Sequence, residues 1–448
     1  MGVHNNLPTT AARLAAVVLA SVTSAALACS ALLMPAAPAH ADTIRDAEYW
    51  ISEYGIDKAW SVSQGAGVTV AVIDSGVNGG VADLKGAVSG GTDVSGAGQP
   101  DGQEPIGAEP EHGTLVATVL AGRGHSPDGS PLSGGSTGSD GIVGVAPQAN
   151  LLTVSTWLGS PNPAGPTDLQ QIPAAVRWAV DHGAKVINMS LGSSSPDWPR
   201  SWDDAFLYAE QKDVVVVAAA GNRGGGSVQV GAPATIPGVL TVAGLDRQEH
   251  ASVDASSQGV SIGVSAPAEQ LVGGLPDGTY AQWAGSSGAT PIVAGVAALI
   301  RAKWPDMSAE QVINRIISTA KDAGAPGHDP IYGYGILNAE AALTADVPQV
   351  TANPLGSIAD WIRVHRRDSP ASSAPAAPAA PPATETPVAE GSAPSPVAAA
   401  DSSPWPPLVV LGFGGLVLAI LVGGTWHLLT LRRRRRSTAS ESFHKLLQ

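Results

Sequence analysis

The sequence predicts an α/β domain, a doubly wound and mostly parallel sheet flanked by helices, followed by one C-terminal transmembrane helix. Three observations carry this. Short apolar runs rich in β-branched residues alternate with longer amphipathic segments, the rhythm of βαβ units. The strand-like runs are nearly continuous in their apolarity, as strands buried on both faces are. Finally, the 24-residue apolar stretch Leu408–Leu431 runs directly into Arg432–Arg436. As a helix it would reach ~36 Å, enough to span a bilayer with its basic end cytoplasmic.

Residues 1–41 read as a secretory signal peptide. Arg13 precedes an apolar run from Leu14 to Leu33, and Ala39-His40-Ala41 supplies a small-x-small cleavage site. A lipid-modified Cys29 is the alternative. Cys29 is also the sole cysteine, so the mature chain is expected to lack a disulfide, a cysteine nucleophile and a thiolate metal site. Residues 42–66 form an amphipathic N-terminal extension in which Trp50, Ile51, Tyr54, Ile56 and Trp60 are candidates to pack on the domain.

The catalytic domain is expected over residues 67–345. Gly67–Ile73 is a buried strand ending in Asp74-Ser75-Gly76. A carboxylate at the carboxyl end of a central parallel strand lies where α/β sheets place their chemistry, although Asp also closes strands as a plain turn residue. Glu111-His112-Gly113-Thr114 opens a helix of small apolar residues, and Gly122–Gly141 is a polar, Gly/Ser/Pro-rich insertion. Strands follow at Leu151–Val154, Ala184–Leu191, Val214–Ala219, Val239–Ala243 and Val260–Val264. Helices are expected at Leu169–His182, Trp202–Gln211, Ser308–Ile317 and Asn338–Leu343. Asn222 follows the Val214–Ala219 strand, where its amide can be aimed into a crevice. Ala284–Leu299 reads as a tight turn running into a small-residue helix with Ser286 and Ser287 at its start.

From residue 346 the composition changes. Residues 346–405 are expected to be a Pro/Ala-rich linker, and 432–448 a basic cytoplasmic tail. Between residues 42 and 405, 37 acidic side chains face 17 basic ones. That net charge of −20 argues against nucleic-acid binding and suits an extracellular domain.

Asp74, His112, Asn222 and Ser287 together supply what serine hydrolysis needs. A neutral hydroxyl is a poor nucleophile and requires an adjacent base, an orienting acid and donors for the oxyanion. Either Ser286 or Ser287 has the right chemistry; both stand at a helix start, where backbone N–H groups are free.

The blocks that hold these residues resemble those of the subtilisin-type serine proteases, in that family's Asp–His–Ser order. They are Ala71-Val72-Ile73-Asp74-Ser75-Gly76, His112-Gly113-Thr114-Leu115-Val116-Ala117, Ala219-Ala220-Gly221-Asn222 and Gly285-Ser286-Ser287-Gly288-Ala289-Thr290-Pro291. Gly144-Val145-Ala146-Pro147 and Asn188-Met189-Ser190-Leu191-Gly192 match as well, and the similarity covers about residues 50–345. The resemblance implies a triad of Asp74, His112 and Ser287, with Asn222 as oxyanion donor. It implies that Ser190, Leu191 and Gly192 pair with the substrate backbone, as an added strand does. Gly221, Gly231 and Ala232-Pro233 would line an uncharged pocket for the residue before the cut. The chain departs from the family at Ser286 (usually Thr), Gly288 (usually Met or Phe) and Glu111. No family calcium loop is recognisable, and neither a metal nor a cofactor is expected.

The whole architecture is similar to the mycosins, membrane-anchored subtilases of type VII secretion systems. By that resemblance the chain is a single-pass cell-membrane endopeptidase with its catalytic domain outside, polypeptide substrates and a type VII membrane complex as partner. Two other roles remain open: a mainly structural subunit of that complex, and a general extracellular degradative protease.

Overall fold

The computed structural model describes residues 40–128, 132, 136–366 and 395–396. The expected signal peptide except its last two residues, the transmembrane span and basic tail, and most of the linker lie outside the described residues. Among the described residues no helix is long and apolar enough to cross a membrane.

The described residues open with three short helices, α1 (His40–Ala47), α2 (Tyr49–Glu53) and α3 (Ile56–Ala59). Strand β1 (Thr69–Asp74), a 3-10 turn (Ala82–Leu84), β2 (Val88–Asp93) and α4 (His112–Ala121) follow. Next come β3 (Arg123–His125), β4 (Asp140–Val143), β5 (Asn150–Ser155), α5 (Asp168–Asp181), β6 (Val186–Met189), α6 (Arg200–Gln211) and β7 (Val215–Ala219). Then β8 (Leu240–Leu245), β9 (Ile262–Pro267), β10 (Leu271–Gly274) and β11 (Tyr280–Trp283) lead to the long α7 (Ser286–Lys303). Helices α8 (Ala309–Ser318), α9 (Ala339–Thr344) and α10 (Ile358–His365) follow, and the two-residue strand β12 (Ser395–Pro396) is the last described element.

Seven parallel strands form the main sheet in the order β2-β5-β1-β6-β7-β8-β9. The β-branched runs explain it: β1, β6 and β7 are buried along almost their whole length, and only strands covered on both faces are apolar at every position. In β1, Ala71 and Ile73 join a core with Ile172, Val176, Trp202 and Phe206 from α5 and α6. Helices α7 and α4 pack against each other, and α7 also lies along β6 to β9. Small residues make that approach possible: a Cβ on Gly295 of α7 would lie 2.5 Å from Val145.

From β1 the chain builds outward to one side (β5, β2) and then returns to the other (β6 onward). The carboxyl ends of β1 and β6 therefore flank a topological switch point, where open α/β sheets bind ligands.

Residues 42–66 pack as expected. Trp50 and Ile56 are fully buried, and Trp60 Nε1 donates to Val145 O at 2.8 Å. Arg45 of α1 donates to the carbonyls of Gly138 (3.1 Å) and Gly141 (3.1 Å), while the buried Glu48 carboxylate accepts the Val143 N–H at 3.1 Å. The 122–141 insertion is thus anchored at its base by the β3–β4 ladder and by α1. Residues 346–366, expected to begin the linker, instead dock on α6. Ser357 and the Ile358 N–H both donate to Glu210, at 2.9 Å each, and Arg366 pairs with Asp203 at 2.8 Å.

Candidate active site

Asp74 sits on the last residue of β1, buried, and its Oδ1 lies 2.8 Å from His112 Nδ1. The same oxygen accepts the Ser75 N–H at 2.7 Å. Ser75 was not expected to matter. Its Oγ accepts the Gly113 N–H at 2.9 Å, which fastens the start of α4 to the end of β1. Gly113 allows this approach, because a Cβ there would lie 2.2 Å from Gly76 O. Through its bond to Asp74, His112 has Nδ1 committed and presents the other ring nitrogen elsewhere, the arrangement of a general base held by a carboxylate.

The two adjacent serines have separate surroundings. Ser286 is wholly buried. Its N–H donates to Asn222 Oδ1 at 2.8 Å, and its hydroxyl lies 3.0 Å from Gly221 O and 3.1 Å from Asn222 Oδ1. That hydroxyl also accepts the Gly221 N–H at 3.0 Å. Both serines border the cleft, and of the two only Ser287 keeps exposed surface, 9%. A Cβ on Gly285 would fall 2.9 Å from Ser287 Oγ and 3.2 Å from Asn222 Nδ2. These two groups therefore flank one small void, which glycine leaves empty.

Pro291 has a local consequence. In α7 the Ser287 carbonyl would ordinarily accept an N–H four residues on, but proline has none. Ser190 fills the gap, its Oγ donating to Ser287 O at 2.7 Å, and Asn188 Nδ2 in turn donates to Ser190 Oγ at 3.0 Å. The segment after β6 is thereby tied to the candidate nucleophile.

These groups open on a cleft of about 510 Å³. Ser190, Leu191, Gly192, Gly221 and Asn222 line it with His112 and Ser287. Gly231 does not line it. It lies behind that wall, where a Cβ would strike Ser193 O, and the Ser193 N–H donates to Ala232 O at 2.9 Å. Arg223 turns away, bonded to the carbonyls of Ser252 and Ser256. No residue of 42–66 or of the described 122–141 insertion lines the cleft.

Trp283 and Trp157 line the cleft without having been expected there. Trp283 stands edge-on to His112, ring centroids 5.7 Å apart. It also explains Gly288: a Cβ on that glycine would lie 2.4 Å from Leu271 and 3.3 Å from Trp283, so those side chains occupy the volume beside the helix start. Glu109, one turn before His112, lines the cleft as well; burial pushes its carboxyl above the usual range, against the opposing pull of His112. Among the described residues no group of three or more His, Cys, Asp or Glu could hold a metal ion.

A parallel α/β sheet carrying a carboxylate-held histidine, a cleft-facing serine and an aimed asparagine amide defines a serine peptidase of the subtilisin-like class. The chain matches the Subtilase family over residues 65–335 and belongs to it. It is 33% identical to mycosin-4 of Mycobacterium tuberculosis over 359 residues, which is 71% of this chain and 74% of that one. It is 36% identical to subtilisin DY of Bacillus licheniformis over 282 residues, 62% of this chain and 92% of that one. Among solved structures it is similar to MycP1 with the N-terminal propeptide removed (TM-score 0.56, 29% identity, 68% of this chain and 98% of that one). It is also similar to the MycP3 protease from the type VII (ESX-3) secretion system (TM-score 0.54, 31% identity, 66% and 88%).

Proposed function

We propose that this subtilase is a mycosin-like, membrane-anchored endopeptidase whose catalytic domain lies outside the cell and works with a type VII secretion complex. His112 takes the Ser287 proton as Ser287 Oγ attacks the scissile carbonyl, then delivers that proton to the leaving amine. Asp74 holds the imidazole in one tautomer and stabilises its charged form. Asn222 Nδ2 and a helix-start N–H receive the oxyanion, and water then hydrolyses the acyl-enzyme in the reverse sense. Ser190, Leu191 and Gly192 offer backbone for the substrate to pair with, and Gly221 borders the pocket for the residue before the cut.

The observation that carries this reading is the 2.8 Å bond from His112 to Asp74 at the floor of an open cleft that Ser287 also lines. The mycosin relatives, one of them described as a type VII secretion protease, support the cellular setting. The apolar stretch Leu408–Leu431 with its Arg block supports the anchor.

The test compares secreted proteins from wild type, a full deletion and Ser287→Ala at normal expression. Losses shared by Ser287→Ala and the deletion make catalysis the required activity. Secretion that survives in Ser287→Ala and fails in the deletion makes the domain chiefly a structural subunit.

A further inference from the structure

The cleft carries a charge pattern that the hydrolytic chemistry does not use. Glu109, Glu111 and Asp168 line it, and no Lys or Arg does. Asp168 is engaged at its own helix start, accepting the Leu169 N–H at 2.9 Å. Glu111 caps α4 by position only, its side chain making no capping bond. Glu109 is the notable one. It is half-buried, its backbone carbonyl accepts the His112 N–H at 3.2 Å, and its neighbour Ala108 donates to Leu158 O at 3.1 Å. The influences on its carboxyl are burial, His112, Glu111 and Asp74, with no hydrogen-bond donor among them. A half-buried carboxylate with no donor is costly in the free protein, and a cation entering beside it relieves that cost.

From this we infer that Glu109, backed by Glu111, selects substrates that place a Lys or Arg side chain between His112 and the Leu158 wall, close to the scissile bond. The inference rests on the peptidase reading. A cationic side chain there lays its methylene stem along Leu158 and Trp157 and brings its head to the Glu109 carboxylate. The acidic domain draws such peptides in from solution. Glu109 thus acts as a specificity residue: it meets the substrate side chain and takes no part in the bond-breaking.

The experiment uses the full chain in detergent with a positional library of fluorogenic peptides, each position carrying Lys, Arg, norleucine or Glu in turn. The expected result is one position at which Lys or Arg is favoured over norleucine by about tenfold in kcat/KM, mostly through KM. That ratio falls toward one in Glu109→Gln and reverses in favour of Glu in Glu109→Lys. It also shrinks in high salt and as the pH is lowered, Glu109 taking up a proton ahead of an ordinary carboxyl. Labelling of Ser287 by a fluorophosphonate reports that each variant is folded. Equal cleavage of all peptides, or a basic preference that survives in the Glu109→Gln, Glu111→Gln double variant, overturns the inference and leaves the peptidase reading standing. No cleavage of any peptide by the wild type overturns both.

Discussion

Ser286 aims Asn222. The Ser286 N–H reaches Asn222 Oδ1 at 2.8 Å and its Oγ stands 3.1 Å from the same oxygen. With Oδ1 so occupied, the Asn222 N–H₂ is turned toward the void beside Ser287. On the proposed mechanism the two neighbouring serines take two jobs, Ser287 reacting and Ser286 positioning.

The variants Ser286→Ala and Ser287→Ala are expected to part sharply. Ser287→Ala loses fluorophosphonate labelling and turnover. Ser286→Ala keeps the label but lowers kcat, because Asn222 is no longer held. Asn222→Leu is expected to cost about 10²–10³ in kcat with KM little changed, a magnitude taken from subtilisin, a member of this same family. Single-turnover kinetics with an ester substrate separate the three.

Ser190→Ala leaves the Ser287 carbonyl without a donor, since Pro291 cannot supply one. A buried acceptor stranded in this way costs about 1–3 kcal/mol of stability, which denaturant unfolding measures. Pro291→Ala should recover part of that loss in the double variant by restoring a helical N–H.

Gly288→Met, which would install the residue common in the family, is expected to destabilise. The new Cβ meets Leu271 at 2.4 Å. Overpacking of this kind costs about 1–3 kcal/mol. Leu271→Ala in the same chain should return part of the melting temperature, a coupling that independent sites would not show.

His125 and Asp83 give a pH prediction outside the cleft. Their bond, His125 Nδ1 to Asp83 Oδ1 at 2.7 Å, holds the imidazole above its ordinary value, partly against burial. A raised value in the folded state means that this contribution is fully present below pH ~6.5 and fades as pH rises through the folded value. Wild type minus His125→Gln stability should therefore decline across neutral pH, as read by thermal unfolding in buffers of equal ionic strength.

Arg45 clamps three backbone carbonyls at the base of the insertion. Arg45→Ala should speed amide exchange at 123–125 and 138–143 by about tenfold or more while leaving β1 and β6 protected.

The reading from sequence succeeded where a single chemical signal was strong. β1, β6 and β7 were legible because their runs are apolar at nearly every position. The start of α8 was legible because Ser308 caps it, accepting from Gln311. β2, VSGGTD, escaped because an edge strand carries no such run. Its glycine content reflects backbone proximity instead: a Cβ on Gly91 would lie 2.1 Å from Asp101 O. α10 escaped because its partners, Glu210 and Asp203, are about 150 residues away, a separation that no local pattern encodes. In the site, Asp74, His112, Asn222 and Ser287 stood out through their blocks. Ser286 could be assigned to positioning only once the turn of the Asn222 amide was visible. The family resemblance puts Gly231, Ala232 and Pro233 at the cleft, yet none of the three borders it, and the missing side chain of Gly231 makes room for Ser193 O.

Gly288 has one more consequence, for chemical durability. A thioether beside a reactive serine is a point at which peroxide can add a sulfoxide and crowd the oxyanion. Here that place holds no sulfur. Residues 42–366 contain no cysteine and just two methionines, of which Met189 is fully buried in β6. On the proposed mechanism, Ser287 is therefore expected to keep its reactivity under peroxide that would silence a methionine-flanked counterpart.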